Sequence, residues 1–214
     1  MLEIKAHLDQ RIREDFKGEI PEKIEIRGAD FVLAMMDGAK EQARANADKG
    51  TAQLGPDGQS DTIHLNVGTI TLTGPQGWEK KANFYNPNGS KMLILYSKIP
   101  GAALPCIGVS ADKILPGVHS AVEFSRKMKD MMLRSDPPPE ITEPQEQIIN
   151  GHTVSSMEIA IKGTHDIQYR LAWYQFLFQD IIVTLQYHGS DYQLREGAPE
   201  FQKVVESLEF KPAP

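Results

Sequence analysis

Between Asp166 and Gln193 the chain carries two long apolar runs separated by two polar residues, and few folds accommodate such a segment. In the first run, Gln168 to Phe178, the apolar residues include Leu171, Ala172, Trp173, Tyr174, Phe176 and Leu177, so both parities along an extended chain are apolar. A strand built from it has two faces that need covering. After Gln179 and Asp180 comes the second run, Ile181 to His188, β-branched and aromatic, a composition that suits a packed pleated surface. Two residues cannot carry a parallel crossover, which needs about a dozen, so the strands pair antiparallel. Burying eight or so large side chains, at roughly 1.5 to 3 kcal/mol each, makes this pair the expected centre of the core.

The rest of the chain supplies what such a pair packs against. Ile63, Leu65 and Val67, then Ile70 and Leu72, alternate with polar neighbours, predicting a half-buried strand with a bulge or break at Gly68. Gly74-Pro75-Gln76-Gly77 turns the chain into a strand begun by Trp78, and Asn86-Pro87-Asn88-Gly89 turns it again into Met92 to Tyr96, apolar on both sides. Cys106 to Val109 reads as a short strand. From His119 to Leu133 the period becomes helical, with Val118, Val122, Met128 and Met132 in one stripe. The prolines between Arg134 and Pro144 impose an extended connection. Gln145 to Ile149 and His152 to Ile161 form a hairpin across Asn150-Gly151. A last helix, Glu200 to Ser207, has Pro199 in its first turn and Phe201, Val204, Val205 and Leu208 on one side. This order predicts an α+β fold, an antiparallel β-sheet sandwiched by helices.

Ahead of this domain, Ile4, Leu8, Ile12 and Phe16 recur every four residues among charged neighbours and predict an amphipathic helix closed by Gly18 and Pro21. The stripe either docks on the core or binds a partner, a second copy included. A second helix runs from Asp30 through Phe31, Ala34 and Ala39 to about Ala47. Lys49 to Asp61 is rich in Gly, Pro, Asp and Ser and reads as a linker. The expected division is a helical extension and linker over 1–60 and the main domain over 61–214.

Several functions lose their footing in the sequence. A formal charge of -6 and a pI near 5.5, without any cluster of Lys and Arg, argue against nucleic acid as a partner. No stretch reaches the roughly 18 apolar residues of a membrane-spanning helix. Cys106 is the one cysteine, so no intramolecular disulfide forms, and its Pro-Cys-Ile-Gly-Val setting is that of a buried strand rather than a nucleophile. The six histidines are scattered, His165-Asp166 sits in a turn beside Gly163, and no metal site is expected. Neither a Gly-x-Ser-x-Gly elbow nor a phosphate or dinucleotide loop occurs, so no catalytic residue and no cofactor is assigned. Trp78, Trp173 and Tyr174 are candidate pocket-lining residues, although aromatics in long strands are more often core. The start of the chain has no apolar signal region, which places the protein in the cytoplasm if Met1 is native, and in the periplasm or envelope if an export signal has been removed.

The segment from Ile63 to Phe210 resembles the PsbP-like superfamily, which also contains DcrB-type bacterial proteins and a Ran-binding nuclear-import factor. The resembling features are the strand followed by Pro75-Gln76-Gly77-Trp78, the helix near residue 120, the two long aromatic strands, and the ending Phe201-x-x-Val204-Val205-x-Ser207-Leu208-Glu209-Phe210. The resemblance implies a PsbP-like α/β/α sandwich and a role without catalysis, as an extrinsic subunit, chaperone-like adaptor or lipoprotein that holds a partner. The expectation is therefore a non-enzymatic accessory or adaptor protein binding a protein partner. The alternative is a small-molecule or lipid carrier with a pocket between sheet and helices.

Overall fold

A computed structural model of the chain describes residues 50–85, 91–102, 104–134, 138–162 and 168–214. The stripe Ile4, Leu8, Ile12 and Phe16, and the second helix expected near Ala34, lie outside the described residues. In chain order the described elements are β1 (Thr51–Gln53), β2 (Ser60–Leu65), β3 (Gly68–Thr73), β4 (Glu79–Tyr85), β5 (Lys91–Ser97) and β6 (Cys106–Lys113). They continue with α1 (Ala121–Met132), β7 (Glu140–Ile141), β8 (Gln145–Ile149), β9 (His152–Lys162), β10 (Gln168–Phe178), β11 (Ile181–Ser190), α2 (Asp191–Glu206) and β12 (Glu209–Pro212).

The two apolar runs pair as expected. β10 and β11 form an antiparallel hairpin from Phe178 opposite Ile181 to Tyr169 opposite Ser190, and Gln179 turns the chain at a φ of +56°. The hairpin lies inside an eight-stranded sheet of order β4-β5-β6-β11-β10-β9-β7, with β8 also paired to β9. Asn150 and Gly151, both at positive φ, close the β8–β9 hairpin in the manner their dipeptide favours.

The sequence suggested one sheet; the described chain has two. Residues 60–73 form not a single broken strand but a hairpin, β2 and β3, which with β1 and β12 makes a four-stranded sheet of order β1-β2-β3-β12. Gly68 is what allows it: a Cβ there would lie 2.3 Å from the Lys211 carbonyl oxygen of β12. The layer on one face of the large sheet is thus this second sheet together with α2. The second helix also begins earlier than Pro199 suggested, because Ser190 caps it and Gln193 returns the bond to the Ser190 N–H, a capping box. Gly197 lets α2 sit close on β11, where a Cβ would lie 2.2 Å from the Tyr187 hydroxyl.

Side chains of even-numbered β10 residues and their neighbours face inward and fill the space between the layers. Ile63, Ile70 and Leu72 from the small sheet meet Ile94, Leu185 and Phe176 from the large one, all fully buried, and Val204, Val205 and Leu208 close the end near α2. Asn83, at a φ of +51°, joins the layers through a reciprocal pair of hydrogen bonds, both 3.1 Å, between its amide and the backbone of Ala52. The buried Asp61 carboxylate accepts from the Gly55 N–H (2.8 Å), the Lys80 ammonium (3.1 Å) and the Tyr96 hydroxyl (2.7 Å). On the opposite face Val118, in the turn before α1, and Ala121 and Phe124 of α1 pack on Ile182 and Leu177. Of the expected stripe, Val118 and Val122 are buried and Met128 packs half-buried against the cluster, while the fully buried side of the helix is Ala121, Val122, Phe124 and Ser125. Ser125 reaches Ser155 (2.6 Å) and the side-chain oxygen of Gln175, whose amide donates to Thr184 (3.4 Å), so the polar residues under α1 are satisfied.

Candidate functional site

Pleating places odd-numbered residues of β10 on the face that carries α1. Register then builds rows across that face. Ser155, Gln175, Thr184 and Ser110 form the row beneath α1; Met157, Trp173, Gln186 and Gly108 form the next; Ile159, Leu171, His188 and Cys106 form the third. α1 packs chiefly on β9 and β10. The β11 and β6 ends of the second and third rows hold a set of side chains unlike the rest of the molecule.

His188 and Cys106 are direct cross-strand partners. Among the described residues the buried His188 Nε2 has no hydrogen-bond partner, and the same holds for Nε1 of Trp173 in the adjoining row. Burial pushes the His188 imidazole down to about 4 and the Cys106 thiol up to about 11, so both groups are neutral around pH 7. A third soft group enters from β5. Met92 is buried, its sulfur accepts from the Gln186 amide at 3.3 Å, and its methyl occupies the space a side chain at Gly108 would need, 1.9 Å from an ideal Cβ. The result is a largely buried cluster of thiol, imidazole and thioether, uncharged and with an imidazole nitrogen that no described residue bonds.

The aromatic residues singled out in the sequence do not come together. Trp78 is a core residue between the layers, with the Lys98 ammonium 5.7 Å from its ring. Tyr174 faces inward, edge-on to Phe201 at 5.5 Å, and donates to Gln202 at 3.2 Å. Trp173, its neighbour in the strand, points to the opposite face, so one pocket cannot be lined by both. The described histidines are equally dispersed. His119 precedes α1, with its backbone N–H on Glu123 (2.7 Å), His152 packs edge-on against Phe178 (5.2 Å) and His64 is exposed on the small sheet. Among the described residues, no three of His, Cys, Asp and Glu gather at a point, and no helix is long and apolar enough to cross a membrane. The sequence reading passed over His188, Met92 and Gln186. The two-residue turn would have put Leu171 opposite His188, but only the fold brings Cys106 and Met92 beside them.

No family model matches the sequence, and a search of curated proteins finds no match. Solved structures do match. LpqN of Mycobacterium tuberculosis, described as involved in cell envelope biogenesis, is 14% identical over 72% of this chain and 91% of its own, with a TM-score of 0.50. The cyanobacterial PsbP, CyanoP, of Synechocystis sp. PCC 6803 is 8% identical over 77% of this chain and 94% of its own, with a TM-score of 0.49. At such identities the likeness concerns the fold alone.

Proposed function

We propose that this PsbP-like domain is a non-enzymatic accessory protein that holds a protein partner on the α1-bearing face of its large sheet. One observation carries the reading: the location of the apolar surface left over after folding. The space between the two sheets is filled by fully buried side chains. On the other face, Ile161 is 43% exposed and lies opposite half-buried Tyr169, with half-buried Leu171 and Trp173 next along β10. An apolar strip of this kind is a surface that a partner's own apolar residues cover. The family resemblance, which implies partner-holding roles, supports the same reading.

The alternative, a carrier of a small molecule or lipid, draws on a different observation, the buried Trp173 Nε1 that lacks an acceptor among the described residues. The two readings separate in one experiment. Full-length protein and an Ile161→Glu, Tyr169→Glu variant are cross-linked in their own cells, and captured proteins are quantified against each other. The partner reading expects specific proteins lost with the variant while its melting temperature is kept. An unchanged captured set overturns it, and a small molecule retained by the wild type in native mass spectrometry favours the carrier instead.

A further inference from the structure

From a separate set of residues, and without dependence on the accessory reading, we infer that Cys106, His188 and Met92 form a binding site for a soft monovalent metal ion, of which Cu(I) is the chemical type. Three observations lead there. The first is convergence. Cys106 and His188 face each other across the β6–β11 ladder, where directly opposed side chains start roughly 4.5 to 5.5 Å apart. Met92 lies over Gly108, two residues along β6 from Cys106 on the same face, a step of roughly 7 Å that the long thioether side chain can span. Its sulfur already touches Gln186, two residues before His188.

The second is the state of the donors. A buried imidazole nitrogen without a hydrogen-bond partner costs free energy unless something accepts its lone pair or its proton. Among the described residues Nε2 of His188 has no such partner, although the polar side chains Ser125, Ser155, Gln175 and Thr184 under α1, two rows away, are hydrogen-bonded. A metal ion supplies what that nitrogen lacks.

The third is charge and softness. Thiolate and thioether ligands select Cu(I) over harder ions, and imidazole suits it as well. On binding, the Cys106 S–H gives its proton to solvent and the sulfur donates the freed electron pair to the metal, with no change of oxidation state. One positive ion and one thiolate sum to zero, so with neutral imidazole and thioether the filled site carries no net charge into an apolar environment. Zn(II) with the same ligands would leave a buried positive charge and one coordination position short of its usual four.

The test uses the reduced full-length protein, titrated anaerobically with Cu(I) held by a colorimetric chelator of known affinity. The expected result is removal of one equivalent from the chelator, with an ultraviolet thiolate-to-copper absorption, and no displacement by Zn(II). Cys106→Ala and His188→Leu each weaken binding by about a hundredfold or more, and Met92→Leu by about tenfold, at least the range seen when residues supporting a metal site are lost. Cys106→Ala removes one atom from the core, so its melting temperature without metal checks the fold. Failure of the wild type to compete with the chelator overturns the assignment. So does undiminished binding by a folded Cys106→Ala variant, which would place the copper elsewhere on the chain.

Discussion

Two buried polar groups lie on opposite faces of the large sheet and have met opposite ends. On the inner face, Asp61 is wholly buried, yet all its neighbours are donors: a backbone N–H, an ammonium and a phenol. On the outer face, His188 and Trp173 each keep a buried nitrogen with no partner among the described residues. The inner group ties β2, β4 and β5 together and consumes its own polarity. The outer group leaves polarity that no described residue meets. The burial of a polar residue therefore says little about function until its hydrogen bonds are counted.

The sharpest way to break this contrast is to cut the inner cluster. Asp61→Ala would leave Lys80, whose side chain is 10% exposed, as an unpaired cation beside an unmatched Tyr96 hydroxyl. The expected loss is about 3 to 5 kcal/mol of unfolding free energy, the range for removing one partner of a buried ion pair. Urea denaturation measures it, and a loss under about 1 kcal/mol would mean that the cluster is solvated. Acid should act on the outer cluster instead. Burial lowers the His188 value from 6.5 to about 4, so between these pH values the unfolded chain binds a proton that the folded one refuses. Stability then falls as the pH drops through that window, by about 3 kcal/mol in all, and is flat on this account above it. Cys106, opposite the imidazole, stays a neutral thiol throughout. His188→Leu in metal-free protein should remove this dependence, and a wild-type curve that is flat from pH 6.5 to 4 would contradict it.

Much of the frame was legible in the chain because it is set by local chemistry. Apolar residues at both parities around Gln179-Asp180 specify a central antiparallel pair, and Asn150-Gly151 specifies its neighbour hairpin. The small sheet was not legible as a sheet. Ile63 to Leu72 alternates equally well as one strand with a break or as two strands with a turn, and the choice depends on β12 arriving from the far end of the chain against Gly68. The start of α2 could have been found. Ser190-x-x-Gln193 is a capping-box pattern in plain view, and Pro199 drew the boundary nine residues too late because proline at a helix start is common. For the candidate site the sequence offered Trp173 alone. Its companions are on β5 and β6, and no local pattern sets which residues of those strands will oppose His188.

The finest test of the comparison is a matched pair of substitutions. Tyr96→Phe and Trp173→Phe each remove one polar hydrogen from an aromatic side chain on the large sheet. Tyr96 loses a 2.7 Å bond to a buried carboxylate, a bond to a charged group worth about 1.5 to 3 kcal/mol, and Asp61 loses a donor with it. Trp173 loses no bond to a described residue. Its Nε1 already carries the desolvation cost of an unmet donor, about 1 to 3 kcal/mol, and removing it offsets the apolar area given up by the smaller ring. Trp173→Phe should therefore stay within about 1 kcal/mol of the wild type when Tyr96→Phe does not. Equal losses in the two variants would mean that the indole nitrogen is satisfied in solution, and the outer face would then be as self-contained as the inner one.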